Sequence, residues 1–215
     1  MDDLIQIFEK YLNKAEYEEH KVSTEECKKC GGQCCKALGC QFSPSDFKKI
    51  DYDTLLNFIN DTKCISIDWW EGNPFKEDDN IENSYFDIDT GNLIDSNNEQ
   101  VYKSYFLRIR NIDSPIVDPS YGGRCCLLTD TGCKLPFELR AKGARELYIP
   151  KGIDECIPFY NKRDCAKEWF KYRDILHKLA IHFSKDSRST LESFTNYTFS
   201  NFIQEFLNIG DDTNE

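Results

Sequence analysis

Apolar residues recur at helical spacing at the start of the chain. Leu4, Ile5, Phe8, Leu12 and Ala15 alternate with Glu and Lys, which predicts an amphipathic packing helix over residues 3–20. Ser43, Pro44, Ser45 and Asp46 form a helix start, with Ser43 as N-cap, Pro44 at the first helical position and Asp46 in the positive first turn. A helix carrying Phe47 and Ile50 is expected to follow. After a break near Asp51 and Tyr52, a second helical run holds Leu55, Leu56, Phe58 and Ile59. The period then changes to two. Cys64 to Trp70 reads as a strand, which makes Cys64 a core or strand residue. Residues 72–100 turn acidic and Asn-rich, an acidic surface excursion in which Tyr85–Asp89 and Leu93–Ile94 flank Thr90, Gly91 and Asn92 as a hairpin. Val101 through Arg110 reads as a central strand, with Tyr105, Leu107 and Ile109 facing away from Phe106, Arg108 and Arg110. C-terminal helices are expected over residues 166–208, carrying Trp169, Phe170, Leu176 and Leu179 and then Leu191 through Leu207.

Composition bounds what such a chain does. Its 215 residues suit one domain, 1–215, with an ordinary hydrophobic interior. A net charge of -11 argues against nucleic-acid backbones and anionic membrane surfaces as partners, leaving an unknown protein partner or substrate. No stretch approaches a membrane-spanning length and no basic-plus-apolar leader precedes the first helix, so a cytoplasmic location is expected. Eleven cysteines is an odd number, and a reducing cytoplasm does not sustain a disulfide framework. Metal ligation is the economical use of these thiols.

Cys27 and Cys30 have the C-x2-C spacing that lets two sulfurs of one turn meet a Zn2+ or an iron of a cluster. Gly31 and Gly32 allow positive φ and leave amide N–H groups to donate to metal-bound sulfur. Cys34 and Cys35 are adjacent, and neighbouring side chains diverge, so one of them faces a second metal or is a buried thiol beside the first. At least one further ligand must come from far along the chain. Cys126 and Cys133 flank a short strand and the turn Thr129–Gly132, and Cys156 and Cys165 follow. Cys125 reads as a packing residue. His177 and His182 are five apart on a helix, off a common face, and read as core or surface histidines.

Cys27, Cys30, Cys34 and Cys35, followed by Asp46 and Ile50, resemble the first half of the motif of the YkgJ-like zinc- or iron-chelating cysteine-cluster proteins, named for a CxxCxxCC-type run. Cys126, Leu127, Leu128, Gly132, Cys133, Phe137 and Arg140, then Arg145 and Pro150, are similar to its second half. The first run has three residues rather than two before the vicinal pair, and Ala141 and Ala144 stand where the family usually has proline and a further cysteine. The resemblance covers residues 27–165, which form the expected metal-binding core. It joins the spacing in nominating Cys27, Cys30, Cys34, Cys35, Cys126 and Cys133 as ligands of an iron–sulfur cluster or Zn2+, with Cys40, Cys156 and Cys165 next. The expected fold is α+β: a small central antiparallel sheet and hairpin, with N- and C-terminal helices around a cysteine-rich core. The family also resembles the cysteine-rich part of flagellin lysine N-methylases. That implies an alternative, an iron–sulfur-dependent protein-modifying enzyme or redox protein, in which Arg140 and Arg145 offset thiolate charge or bind an anionic substrate. Their structural alternative is an ion pair.

Overall fold

The computed structural model describes residues 2–15, 31–32, 35–36, 39–76, 85–87, 92–94, 100–110, 115, 124–130, 132–148, 157–158 and 160–186. Helix α1 spans Asp2–Tyr11. It stops four residues short of Ala15 because the chain finds other partners: Leu12 bridges to Phe47, Asn13 N–H donates to the Asp46 carbonyl at 2.7 Å, and Ala15 N–H to the Glu138 carbonyl at 2.9 Å. Residues 16–20 of the expected helix lie outside the described residues. The capping signal at Ser43 operates, with Ser43 and Asp46 forming a capping box. What it caps is only a 3-10 turn, Pro44–Asp46, so the helix expected through Phe47 and Ile50 does not form. Phe47 is extended instead and inserts among Phe42, Phe58 and Trp169, with ring centroids 5.2–5.8 Å apart. Burying this ring against three others outweighs continuing a short helix.

Helix α2, Tyr52–Thr62, is the second expected run, and Leu55, Phe58 and Ile59 form its buried stripe. Its N-cap is Asp51, whose carboxylate accepts from Thr54 N–H at 2.8 Å and pairs with Lys49 at 2.5 Å. Lys49 first, then the Thr54 bonds, hold the Asp51 carboxyl at about 2 against an ordinary 3.8. A lowered carboxyl pKa contributes stability above the unfolded value and loses it as pH falls through the folded one. Asp51→Asn keeps a capping oxygen but removes the charge. The melting temperature of the variant is therefore expected to lie below wild type near neutrality, the gap closing between about pH 4 and about pH 2. A gap constant across that range counts against the ion-pair contribution.

Strands β1 (Ile65–Gly72), β2 (Tyr85–Asp87), β3 (Asn92–Ile94) and β4 (Gln100–Ile109) form an antiparallel sheet in the order β1-β4-β3-β2. The central strand is where the alternation predicts it, and β2 and β3 pair as the expected hairpin strands, with Asn92 in β3 and residues 88–91 outside the described residues. Beyond β3, the other edge of β4 takes the segment around Gln41: Phe42 N–H donates to the Leu107 carbonyl and Ile109 N–H to the Cys40 carbonyl. Gly39 is required here, because a Cβ would stand 1.3 Å from the Ile109 carbonyl oxygen. Short pairs β5 (Leu128–Thr129) with β6 (Gly132–Cys133), and β7 (Leu147–Tyr148) with β8 (Ile157–Pro158), flank the short helix α3, Lys142–Arg145. Helix α4 (Lys162–Trp169) runs through one 3-10 turn into α5 (Arg173–Asp186), and both lie across β4. The architecture is mixed helix and small antiparallel sheets, an α+β arrangement. No helix among the described residues is long and apolar enough to cross a membrane.

The faces of the sheet differ. Ile65, Ile67 and Trp69 share one face with Tyr105, Leu107 and Ile109, all buried. On the other face Ser66 and Asp68 meet Phe106, Arg108 and Arg110. Asp68 accepts from Arg110 at 2.6 Å and from the Ser66 hydroxyl at 2.7 Å, and its carboxylate lies 2.7 Å from Arg108 Nε. Arg110 N–H donates to the Cys64 carbonyl, which extends the pairing one step and puts Cys64 on this polar face by alternation.

Candidate metal centre

Three separate parts of the chain meet at the Cys64 end of that face. The first is the turn around Gly31 and Gly32, whose φ angles of 65° and 71° lie where glycine meets no Cβ penalty. Gly32 also packs so tightly that a Cβ would stand 2.7 Å from Leu128 Cδ1. Its carbonyl accepts from the N–H groups of Cys35 and Lys36, both at 3.0 Å, so Cys35 stands on one helical turn. The second part is the segment from Arg124 to Cys133, joined to the first where Cys125 N–H donates to the Cys35 carbonyl at 2.6 Å. The pairing of Leu128 with Cys133 folds that segment back on itself. The third is Cys64, which leads from α2 into β1 after the left-handed Lys63.

Their thiols are neighbours. The Cys125 thiol is hydrogen bonded with Cys126 and with Cys35, with Cys133 in electrostatic range, and Cys126 also reaches Cys64. Hydrogen bonds from Cys126 and Cys35 pull the Cys125 thiol well below its ordinary value, against burial and the nearby Cys133. Cys126 is pushed up by its bonds with Cys125 and Cys64 and by burial. All five cysteines lie in or against the apolar core. Among the described residues, no three His, Cys, Asp or Glu side chains already enclose a point where a metal ion fits.

Of the nine cysteines nominated from sequence, Cys35, Cys126 and Cys133 are gathered here, whereas Cys27, Cys30, Cys34 and Cys156 lie outside the described residues. Cys40 is buried in the apolar core beside β4. Cys165 is buried on α4 and donates to the Phe42 carbonyl at 3.4 Å; burial pushes its thiol up, and Tyr160, Arg108, Glu168 and Asp46 surround it. Cys64 and Cys125 are buried, as their packing assignment requires, yet both also join the thiol group. Adjacency to Cys126 was the available signal for Cys125. Nothing in the strand pattern marked Cys64.

Arg140 and Arg145 have structural partners. Arg145 pairs with the buried Asp46 at 2.8 Å and donates to the Arg140 carbonyl, while Arg140 donates to the Leu135 carbonyl at 3.2 Å. Asp46 also accepts from Ser43 N–H and from Lys142 N–H, both at 2.9 Å, so one carboxylate ties the 3-10 turn to the start of α3. Burial raises the Asp46 carboxyl pKa, against Arg145 and the two N–H donors. Asp46 and Arg145 thus clamp the segment of the 3-10 turn to α3. Beside them an open groove of about 900 Å³ runs between this turn, α3 and α4. Its charges answer one another: Glu168 accepts from Lys142 at 2.6 Å, Ser43 at 2.5 Å and Tyr160 at 2.9 Å. Burial pushes the Glu168 carboxyl up, but these three donors outweigh it and hold it below the usual range.

Comparison of the chain with protein-family models, with curated proteins and with solved structures finds no match in any of the three.

Proposed function

We propose that this chain is a metal-binding protein in which cysteine thiolates hold a zinc ion or an iron–sulfur cluster, in the manner of the YkgJ-like proteins its motif resembles. The observation that carries the reading is that three segments remote in sequence converge, with Cys125 N–H donating to the Cys35 carbonyl at 2.6 Å and the thiols of Cys35, Cys125, Cys126 and Cys64 following one another as neighbours. The donor set is soft, which suits Zn2+ or iron–sulfur chemistry and not Ca2+ or Mg2+. Zinc held only by sulfur joins the N-terminal loop to the central strands and adds its binding energy to folding, whereas an iron–sulfur cluster supplies one-electron chemistry. Thiolates in this role belong in a reducing compartment such as the cytoplasm.

Protein purified without oxygen is expected to carry metal at one or more ions per chain by elemental analysis. A brown preparation with broad visible absorbance, iron and acid-labile sulfide identifies the cluster; a colourless one with zinc identifies the structural ion. Absence of both, from protein that is folded by circular dichroism, overturns the reading.

A further inference from the structure

We propose that the groove between the 3-10 turn, α3 and α4 binds a short peptide of about three residues with both termini free, its ammonium at Asp164 and its carboxylate at Lys171. Nothing in this site depends on the thiols. Its floor is built: Ser43 and Tyr160, 1% and 2% exposed, both donate to Glu168, as does Lys142. Three donors on one carboxylate fix the turn, α3 and α4 relative to one another, so the walls are set before a ligand arrives. The lining carries Lys142, Lys167 and Lys171 against Glu146, Asp164 and Glu168, and these formal charges cancel. Such a groove favours neither a net anion nor a net cation; it selects a ligand that carries both signs. The ring that lines it, Tyr160, is buried beneath the Lys142 ammonium, 4.5 Å from the ring centre, which leaves no aromatic face on which a base or a sugar could stack. Asp164, Lys167, Glu168 and Lys171 follow at i, i+3, i+4 and i+7, so one face of α4 and of the turn after it lines the groove with alternating sign. Glu168 is committed to the floor, whereas no ion pair among the described residues engages Asp164, Lys167 or Lys171, and the Lys171 ammonium rests over the Tyr172 ring at 4.8 Å. Asp164 and Lys171 are about 10 Å apart along the axis, the rise of the residues between them. Three extended residues span about the same 10 Å, so the two ends of a tripeptide match the two uncommitted charges. A groove of about 900 Å³ has room for its side chains. A single amino acid holds its charges too close together to reach both ends.

The test is titration of the full isotope-labelled chain with tri-alanine, read by amide chemical shifts. Saturable shifts are expected at residues of the turn, α3 and α4. Acetylating the peptide's amino terminus or amidating its carboxyl terminus is expected to weaken binding about threefold to tenfold each, and alanine alone is expected to bind more weakly still. Asp164→Asn is expected to weaken tri-alanine while leaving the acetylated peptide unaffected, and Lys171→Met to do the same for the amidated one. A merely solvated helix face produces no such matching of variant to terminus. No saturable shift at about 10 mM tri-alanine, a free affinity of only about 3 kcal/mol, overturns the site. So do shifts confined to other parts of the chain, free and blocked peptides binding alike, or alanine binding as tightly as tri-alanine. The peptide comparisons use the wild-type chain and decide alone should either variant not fold. The thiolate–metal reading is tested separately by metal content, which none of these outcomes changes.

Discussion

Asp68→Asn is expected to cost about 3–5 kcal/mol of folding stability, the range for breaking a buried ion pair from one side. The side chains of Asp68 and Arg110 are fully buried, and that of Arg108 is 4% exposed. The asparagine matches the carboxylate in shape, so no cavity opens. What changes is that two guanidiniums in a poorly screened interior face a neutral amide, one of whose ends is itself a donor. Against a typical total of about 5–15 kcal/mol the loss is large. The measurement is urea unfolding followed by tryptophan fluorescence, for which Trp69 on the same strand and Trp169 in the core are natural reporters. Ser66→Ala, which removes one neutral donor to the same carboxylate, is expected to cost only about 1 kcal/mol. An Asp68→Asn loss as small as that of Ser66→Ala excludes a central role for the ionic group.

Asp46→Ala is the second large effect, expected at about 3 kcal/mol. It lies at the low end of the range for buried pairs because Arg145, 17% exposed, recovers some hydration once its partner is gone. Part of the cost is not ionic: the carboxylate also accepts from Ser43 N–H and Lys142 N–H, and both donors lose their partner. Arg145→Met leaves those backbone bonds in place and is expected to cost less. The double variant should then be non-additive by about 1–3 kcal/mol, the signature of groups sharing one interaction. Strict additivity rejects the clamp. The same cycle tests what Arg145 does, because a residue needed only for an anionic substrate leaves stability unchanged when replaced.

Much of the fold is legible in the order of apolar and polar residues, and its failures have physical causes. The alternation from Cys64 to Trp70 and from Val101 to Arg110 identifies the two long strands, because each strand has chemically different faces and a one-residue slip would exchange them. The stripe of α2 is equally plain. Helix α1 ends early, and the Ser43 cap yields one 3-10 turn, because Leu12 and Phe47 bridge to each other and Phe47 joins an aromatic cluster. Neither partner is near the other in sequence, so no local pattern announces it.

The thiols divide the same way. Spacing and residue type by themselves determined only that cysteines crowd into short stretches of the chain; that Gly31 and Gly32 hold the turn before Cys35 at positive φ is a finding of the structure. Local covalent geometry reaches no further than a turn or two. Only the tertiary structure decided that Cys64 and Cys125 belong with Cys35 and Cys126, and that Arg145 answers Asp46. Those choices depend on which strand ends and loop edges the packing of the core brings together, a property of the folded whole and not of any window of residues.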